Sequence, residues 1–439
     1  MSGAPDPERA PDSDRLWSVA EHLGDIIGKI RPLEPIELRL LEAQGCVLVE
    51  DVTVSVALPP FDNSSMDGYA VRTADVAAAT PESPAALTVI GDVAAGSGEL
   101  PAVGPGEAAR IMTGAPLPPG AEAVVPVEWT DGGTGAGPAA AMRAHSAAPE
   151  GAGGQVLVYR PAEPRAHVRA RGSDVRAGEL ALPAGTVLGP QQIALLAAIG
   201  RATVTVRPRP RVVVLSTGSE LVPPGEPLGP GRIHDSNSFQ LTAAARDAGA
   251  IAYRVGAVAD DAATLRATVE DQLIRADAIV TSGGVSVGAY DVVKEALGEE
   301  VEFRKVAMQP GKPQGFGRIG PDGVPLLALP GNPVSAYVSF ELFVRPVIRT
   351  LMGLPSVYRA TCRAVCPEGV ASSPAGRRQF LRGRFEASVV AGEPGTVTPV
   401  GGAGSHLVKA LAHANALIVV PEDATEVAPG GEVDVLLLT

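Results

Sequence analysis

Apolar residues recur with helical spacing early in the chain: Val19, Leu23, Ile26, Ile27 and Ile30 fall on one face. Ser18 and Glu21 have the spacing of a capping box at its start, and Pro32 and Pro35 stop it. Residues 47–56 alternate enough to predict a strand. From Leu58 to about Pro149 the pattern is short and β-like, with strands predicted over 87–90 and 121–127 between Gly/Pro turns. Residues 131–154 are rich in Gly and Ala and read as a loop or boundary. Strand character resumes over 156–159, and 190–199 predicts a short helix ended by Gly200.

Between Arg211 and Gly353 the pattern changes. Short apolar runs at 212–215, 251–258, 278–281, 303–306 and 326–329 alternate with helical stretches at 237–248, 262–275, 290–297 and 334–352. Asp235, Ser236 and Asn237 offer an N-cap for the first of these helices, and Gly249 ends it. Strands alternating with helices predict a parallel, doubly wound sheet, whose ligands sit beyond the carboxyl ends of the strands. After Pro355 the helical pattern vanishes. Residues 359–439 alternate β runs with turns, which predicts a small barrel or sandwich of about 80 residues.

The length of 439 residues leaves room for two to four domains. A net charge of −13 argues against a duplex-binding surface, and 4% aromatic residues argue against base-stacking platforms. Cys46, Cys362 and Cys366 cannot make a disulfide framework, which suits a reducing compartment. Residues 1–13 are polar and acidic, with no apolar signal core, and are expected to be disordered. The uncharged run 323–340 is interrupted by Pro325, Pro330 and Pro333 and is no membrane span. A soluble, cytoplasmic protein is expected.

Candidate chemistry gathers at the strand ends. Thr281-Ser282-Gly283-Gly284-Val285-Ser286-Val287-Gly288, with Asp291 beyond, follows a predicted strand and precedes a helix. Glycine-exposed backbone N–H groups there favour an anion, although the run is neither GxGxxG nor a Walker A motif. Asp291 could hold a hydrated divalent cation or be a surface acid. A second loop, Met308-Gln309-Pro310-Gly311-Lys312-Pro313, is preceded by Lys305, and a third runs Pro330-Gly331-Asn332-Pro333-Val334-Ser335. Three such loops with two lysines are best explained together as an anionic-ligand crevice. Glu220, Asp260 and Asp261 lie at other strand ends and could supply carboxylates for Mg²⁺, though each alone is more often a cap or a solvated acid. Upstream, residues 59–70 and 112–116 form structured loops. No histidines are paired at metal-ligand spacing, and no Ser/His/Asp set is recognisable.

Together these segments resemble the molybdopterin molybdenumtransferases, the MoeA family, related to the E domain of gephyrin. The resemblance rests on PPFDNSSMDGYAV at 59–71, IMTGAPLPPGAEAVVPVE at 111–128, VRARGSDVRAGE at 168–179, STGSEL at 216–221 and GRIHDSNS at 231–238. It continues through TSGGVSVGAYD at 281–291, KVAMQPGKPQGFG at 305–317, ALPGNPVSAYVSFELFVRP at 328–346, RRQFLRGRF at 377–385 and GSHLVKALAHANALIVVP at 404–421. It implies Mg²⁺-dependent insertion of molybdate into adenylylated molybdopterin with release of AMP. It also implies a homodimer of four-domain chains whose site is shared between subunits.

On this chain the implied domains are an α+β domain I at 14–57 and 155–208, and a β-rich domain II at 58–154. Domain III, 209–354, is α/β and resembles molybdopterin adenylyltransferase; domain IV, 355–439, is a β-barrel. Asp67 and Thr113 would reach the site from the partner subunit, and Asp174 matches a further functional acid. Glu220, Asp260 and Asp291 are the domain III acids, with Asp260 and Asp291 on the metal. Ser282, Gly283, Gly284, Ser286, Lys305, Lys312, Pro330 and Pro333 would bind substrate. Ser335, Arg382 and Ser405 belong at the oxyanion. Gln309 stands where many relatives carry a lysine. Molybdopterin adenylyltransferase and molybdoenzyme maturation factors are implied partners. An adenylyltransferase or a gephyrin-like scaffold is the alternative.

Overall fold

The computed structural model describes residues 15–134, 137, 139, 140, 154–285 and 292–438. Ser286, Asp291 and the expected disorder of residues 1–13 lie outside the described residues. The chain divides into two compact units, one of Met1–Glu37, Gly45–Val49 and Thr205–Thr439, the other of Leu38–Gln44 and Glu50–Val204.

The α/β part of the first unit is built on β1 (Leu16–Trp17), β2 (Arg211–Thr217), β3 (Ile251–Val258), β4 (Ala278–Ser282), β5 (Val301–Val306), β6 (Met308–Gln309), β7 (Pro313–Ile319) and β8 (Val324–Leu329). The helices are α1 (Val19–Gly28), α2 (Asn237–Asp247), α3 (Ala262–Leu273) and α4 (Val292–Leu297). Seven strands form one sheet in the order β1-β5-β7-β8-β4-β2-β3. Strands β3, β2, β4 and β8 are parallel, as the alternating pattern requires.

Strand β7 departs from that reading. It runs antiparallel between β5 and β8, so the sheet is mixed. Its glycines hid it from a propensity argument, yet they are what the position needs. A Cβ on Gly315 would come within 2.9 Å of Ala328 Cβ and 3.0 Å of Phe303 Cε1.

The capping box of α1 forms: Glu21 N donates to Ser18 Oγ at 3.1 Å and Ser18 N to Glu21 Oε2 at 2.8 Å. The helix buries Val19, His22 and Ile26. His22 is 1% exposed and turns its ring edge to Phe343 at 4.8 Å between centroids. Burial, assisted by Arg304, pushes its pKa down to about 3. Below about pH 6.5 the unfolded chain takes up a proton that the native site refuses. Stability should therefore fall as pH drops from there towards 3, by up to about 1.4 kcal/mol per pH unit from this one group. Urea midpoints measured between pH 7 and pH 4.5 should fall less steeply for His22→Phe; parallel slopes would show that His22 contributes nothing.

The helix predicted over 334–352 is present but interrupted: α5 (Pro333–Ser339), a π-helical turn at Phe340–Val344, then α6 (Arg345–Leu351). Pro346 lacks the N–H that would bond the Leu342 carbonyl, and its ring crowds that carbonyl. The wider π turn relieves both. It also carries Glu341 into the interior, where the side chain is 1% exposed and accepts from Arg359 Nε at 2.8 Å. Asp247 at the end of α2 binds Arg359 at 2.8 Å and Arg345 at 3.1 Å, and Arg345 stands 4.0 Å from Glu341.

The C-terminal region resolves the choice between barrel and sandwich. Its strands are β9 (Thr361–Cys366), β10 (Arg378–Glu386), β11 (Gly395–Pro399), β12 (Ala416–Val420) and β13 (Gly431–Leu437). They close into a five-stranded barrel because β10 pairs with both β11 and β12. The interior is apolar, with Val397, Ile418, Val433 and Val435 buried. Phe380, Leu417 and Leu436 join the core of the α/β sheet. The short β6 pairs with β10 in parallel, so the loop after β5 is also an edge of the barrel sheet.

The second unit contains a five-stranded sheet ordered Gln155–Val158, Ala85–Val93, Glu107–Ile111, Gly68–Val71 and Ala123–Pro126. The strand expected over 47–56 is two short ones, Val47–Leu48 and Val52–Thr53, and they fall in different units. Among the described residues no helix is long and apolar enough to cross a membrane.

Candidate active site

Strands β2, β4 and β8 end side by side, and the loops that follow them enclose a cavity of about 820 Å³. This is the carboxyl edge that the strand order predicts for a ligand. Gly283 and Gly284 turn the chain after β4 with φ of +100° and +63°. A Cβ on Gly283 would lie 2.8 Å from Thr217 Oγ1, so the turn fits against the end of β2 only as glycine. Gly331, after β8, packs against Gly283.

The cavity wall brings together most of the expected residues of this unit. Ser282, Gly283 and Gly284 come from the β4 end, Pro330, Pro333 and Ser335 from the β8 end, and Lys312 from the loop after β6. Glu220 and Asp260 follow β2 and β3. Ser405, with His406, comes from the barrel. Lys305 lies on β5 and is not among the lining residues. Asp67, Thr113 and Asp174 belong to the other unit.

Several walls are built by short polar networks. Asn237 Nδ2 donates to Ser282 Oγ and to Gly331 O, both at 2.7 Å, and so ties the β4 and β8 ends. Asp235 accepts from Ser216 Oγ and Ser238 N, each at 3.0 Å, and from the Ser238 hydroxyl. It is buried and fully engaged just before the start of α2, although it is one of the residues lining the cavity. Ser219 N donates to Asp260 Oδ2 at 2.8 Å and Asp260 N to Ser219 Oγ at 3.0 Å, which locks the loops after β2 and β3 together. Asp261 does not line the cavity; it caps α3 through Thr264 N at 2.7 Å, and that hydrogen bonding holds its carboxyl below the usual range.

Lys312 stands on a braced loop. Val306 N donates to its carbonyl at 2.7 Å, and Gln314 Nε2 donates to Gly311 O and Ser339 Oγ, both at 2.6 Å. Ser405 is placed by two anchors. Val334 N donates to its carbonyl at 3.0 Å, and Arg382 lies behind the preceding turn. The Arg382 guanidinium, 1% exposed, donates to Gly404 O at 3.2 Å and to Gly402 O. Burial pulls its pKa below the ordinary arginine value. Arg382 is not among the lining residues; it holds the turn that precedes Ser405.

In the second unit, Asp67 and Thr113 meet: Asp67 Oδ1 accepts from Thr113 N at 2.6 Å and Thr113 Oγ1 at 2.8 Å. Asp174 N donates to Leu58 O at 3.0 Å and its residue is exposed.

Sequence reasoning passed over Asn237 and His406 as site residues. Asn237 was read only as part of a helix cap, and His406 has no metal-spaced partner; the runs DSNS and GSHL were their only signals.

Three family profiles cover this architecture. The MoeA N-terminal region (domains I and II) matches residues 17–200, a probable molybdopterin binding domain 213–350, and the MoeA C-terminal region (domain IV) 363–438. Molybdopterin molybdenumtransferase 2 of Mycobacterium tuberculosis is 46% identical across 97% of this chain and 100% of its own length. The Bacillus subtilis molybdopterin molybdenumtransferase is 35% identical over 89% and 87%. The crystal structure of a MoeA protein from Pyrococcus horikoshii superposes with a TM-score of 0.72 at 32% identity, covering 97% of this chain and all of that one. The strand-end cavity, the closed barrel beside it and likeness over nearly the whole length place this chain in the MoeA family of molybdopterin molybdenumtransferases.

Proposed function

We propose that this enzyme of molybdenum cofactor biosynthesis takes molybdate and adenylylated molybdopterin into the strand-end cavity, inserts the metal oxyanion and releases AMP. The reading is carried by one observation: Lys312, Ser335 and Ser405, from three separate elements, line a single cavity with the glycine turn after β4. A tetrahedral dianion and a nucleotide phosphate both need cations and N–H or O–H donors, and an otherwise acidic chain must concentrate them locally. No side-chain nucleophile is required. Full-length likeness favours this reading over an adenylyltransferase, which would need neither the second unit nor the barrel.

Mg²⁺ fits the donors present. Glu220 and Asp260 are exposed carboxylates on the wall, hard oxygen ligands of the kind Mg²⁺ takes. Among the described residues no group of three or more His, Cys, Asp or Glu could cage a metal, so phosphate oxygens and water would complete the shell. Asp291 is the proposed further ligand. Bound there, Mg²⁺ would neutralise charge developing on the leaving phosphate.

A second copy of the chain is proposed to supply Asp67, Thr113 and Asp174. The paired geometry of Asp67 and Thr113 supports a joint role. The test is chromatographic: purified chain with adenylylated molybdopterin should release AMP when molybdate and Mg²⁺ are present and stop on chelation. Absence of AMP under all conditions would end the proposal, and ATP-dependent adenylylation of molybdopterin would favour the alternative. Mixing Asp67→Ala with Asp291→Ala chains, each inactive alone, should restore about a quarter of the activity once subunits exchange, because half the dimers carry one intact site. No recovery after proven exchange would count against a shared site.

A further inference from the structure

We propose that Asn237 is a positioning residue for metal insertion: its amide ties the glycine turn after β4 to the proline turn after β8, and so sets the phosphate end of the pterin nucleotide at a fixed distance from the oxyanion. The inference rests on the functional reading above and deepens it, by naming the contact that holds two binding loops against each other.

The sheet stops short of the cavity. Strand β4 pairs with β8 as far as Ser282 opposite Leu329, and Gly283 N then donates to Leu329 O at 3.1 Å. Gly284, Pro330, Pro333 and Ser335 line the cavity beyond the last paired residues. A glycine turn has no side chains of its own to fix it. A side chain from a third element, the first residue of α2, supplies the bridge. Asn237 Nδ2 donates at 2.7 Å both to Ser282 Oγ and to Gly331 O. The Ser282 hydroxyl in turn meets Pro330 O at 3.4 Å.

The amide has one workable orientation. Gly331 O can only accept, so the NH₂ must face it, and a flipped amide would set two oxygens together. Both N–H groups are then spent on the bridge, and Oδ1 is buried with no hydrogen-bond partner among the described residues. Asn237 is 9% exposed and Ser282 1%, so water competes poorly for these bonds. The root of the bridge is anchored as well. Asp235, two residues earlier, accepts from Ser216 Oγ near the end of β2 and from Ser238 N in α2, each at 3.0 Å. The start of α2 thus gathers the ends of β2, β4 and β8.

The two turns serve different groups. The glycine turn suits the nucleotide phosphate, while the loop after β8 leads to Ser335, which lines the cavity with Lys312 and Ser405. Asn237 supplies neither set of contacts; it fixes the spacing between them. Loss of the bridge should therefore cost alignment and not affinity. A displacement of about 1 Å between reacting groups can cost about 100-fold in rate.

The test uses the full chain with Asn237→Ala and Asn237→Asp. Alanine removes the bridge; aspartate keeps the shape but has no N–H and sets a carboxylate against Gly331 O. Both residues suit the first turn of a helix, so α2 should persist, which circular dichroism checks. AMP release at saturating molybdate and adenylylated molybdopterin should fall about 100-fold in each variant, while the half-saturating concentration of each substrate stays within about threefold of wild type. Hydrogen exchange read by mass spectrometry should quicken together over 282–285 and 329–332 and stay unchanged over β3. A retained rate in Asn237→Asp would show that shape and not the donated bonds matters, and would overturn the proposal. So would a raised half-saturation at an undiminished maximal rate, which would make Asn237 a direct substrate ligand. Loss of the fold in both variants would make it a stability residue and overturn the proposal as well. Unchanged exchange at the two turns would do the same, and that measurement needs no turnover. A wild-type chain that releases no AMP would therefore end the functional reading while exchange still decides whether the bridge holds the turns.

Discussion

Glu341→Ala is expected to destabilise the first unit by about 3–5 kcal/mol, the usual cost of removing one partner from a buried ion pair. The carboxylate is 1% exposed and accepts two hydrogen bonds from Arg359, at 2.8 and 3.2 Å, with Arg345 at 4.0 Å. Without it two guanidinium groups, 10% and 11% exposed, would share only Asp247, which is itself largely in water. Arg345 Nε, 4.0 Å from Glu341, already lacks a hydrogen-bond partner, so the site has little capacity to re-pair. Guanidinium unfolding followed by circular dichroism would give the change in midpoint, and a shift worth less than about 1 kcal/mol would mean that water had replaced the carboxylate. Glu341→Gln should fall between wild type and Glu341→Ala, since its single amide oxygen can accept one of the two bonds without the charge while its NH₂ faces the guanidinium. The chain from Ser356 to Arg359 leads from α6 into β9, so loss of this cluster should also loosen the start of the barrel.

Lys312→Ala should weaken molybdate binding by between about 30-fold and several thousand-fold, the equivalent of about 2–5 kcal/mol for a lost charge partner at a largely desolvated anion. Lysine acts here as a point charge, and the described wall holds no second lysine to replace it. The braces on the loop are backbone and Gln314 contacts, none of which needs the ammonium group. The thermal midpoint should therefore move little while half-saturation by molybdate rises steeply. An unchanged half-saturation would place the oxyanion away from this loop. Gln309→Lys should tighten binding or leave it unchanged, according to whether that position faces the anion.

The α/β pattern was legible because each strand was a short apolar run and each helix had a cap or a glycine stop, as at Asp235 and Gly249. The mixed character of the sheet was not, because β7 spends Gly315 and Gly317 on close packing and so loses the alternation that announces a strand. The π turn was hidden for a related reason: Pro346 reads as an interruption, and only packing decides whether a helix ends there or widens. Pro333 and Gly284 could be placed at strand ends from local signals alone. The convergence of Ser405 with Lys312 could not, since the 92 intervening positions carry no periodicity that fixes a barrel against a sheet. The family resemblance carried that link. Arg382 is not on the described wall; its guanidinium holds the 402–404 turn that precedes Ser405.

The pairing of β6 with β10 means that the two folds of this unit share one stretch of backbone. Met308 and Gln309 are aligned with Arg378 and Gln379, and Lys312 follows three residues later. The C-terminal barrel is thus no detachable module. Ending the chain at the natural boundary near Pro355 would leave β6 an unpaired edge and release the segment that holds the lysine. A chimaera that borrows its barrel from a relative would have to bring residues 305–313 along with it, so inheritance along this chain should keep the two segments together as one exchangeable part.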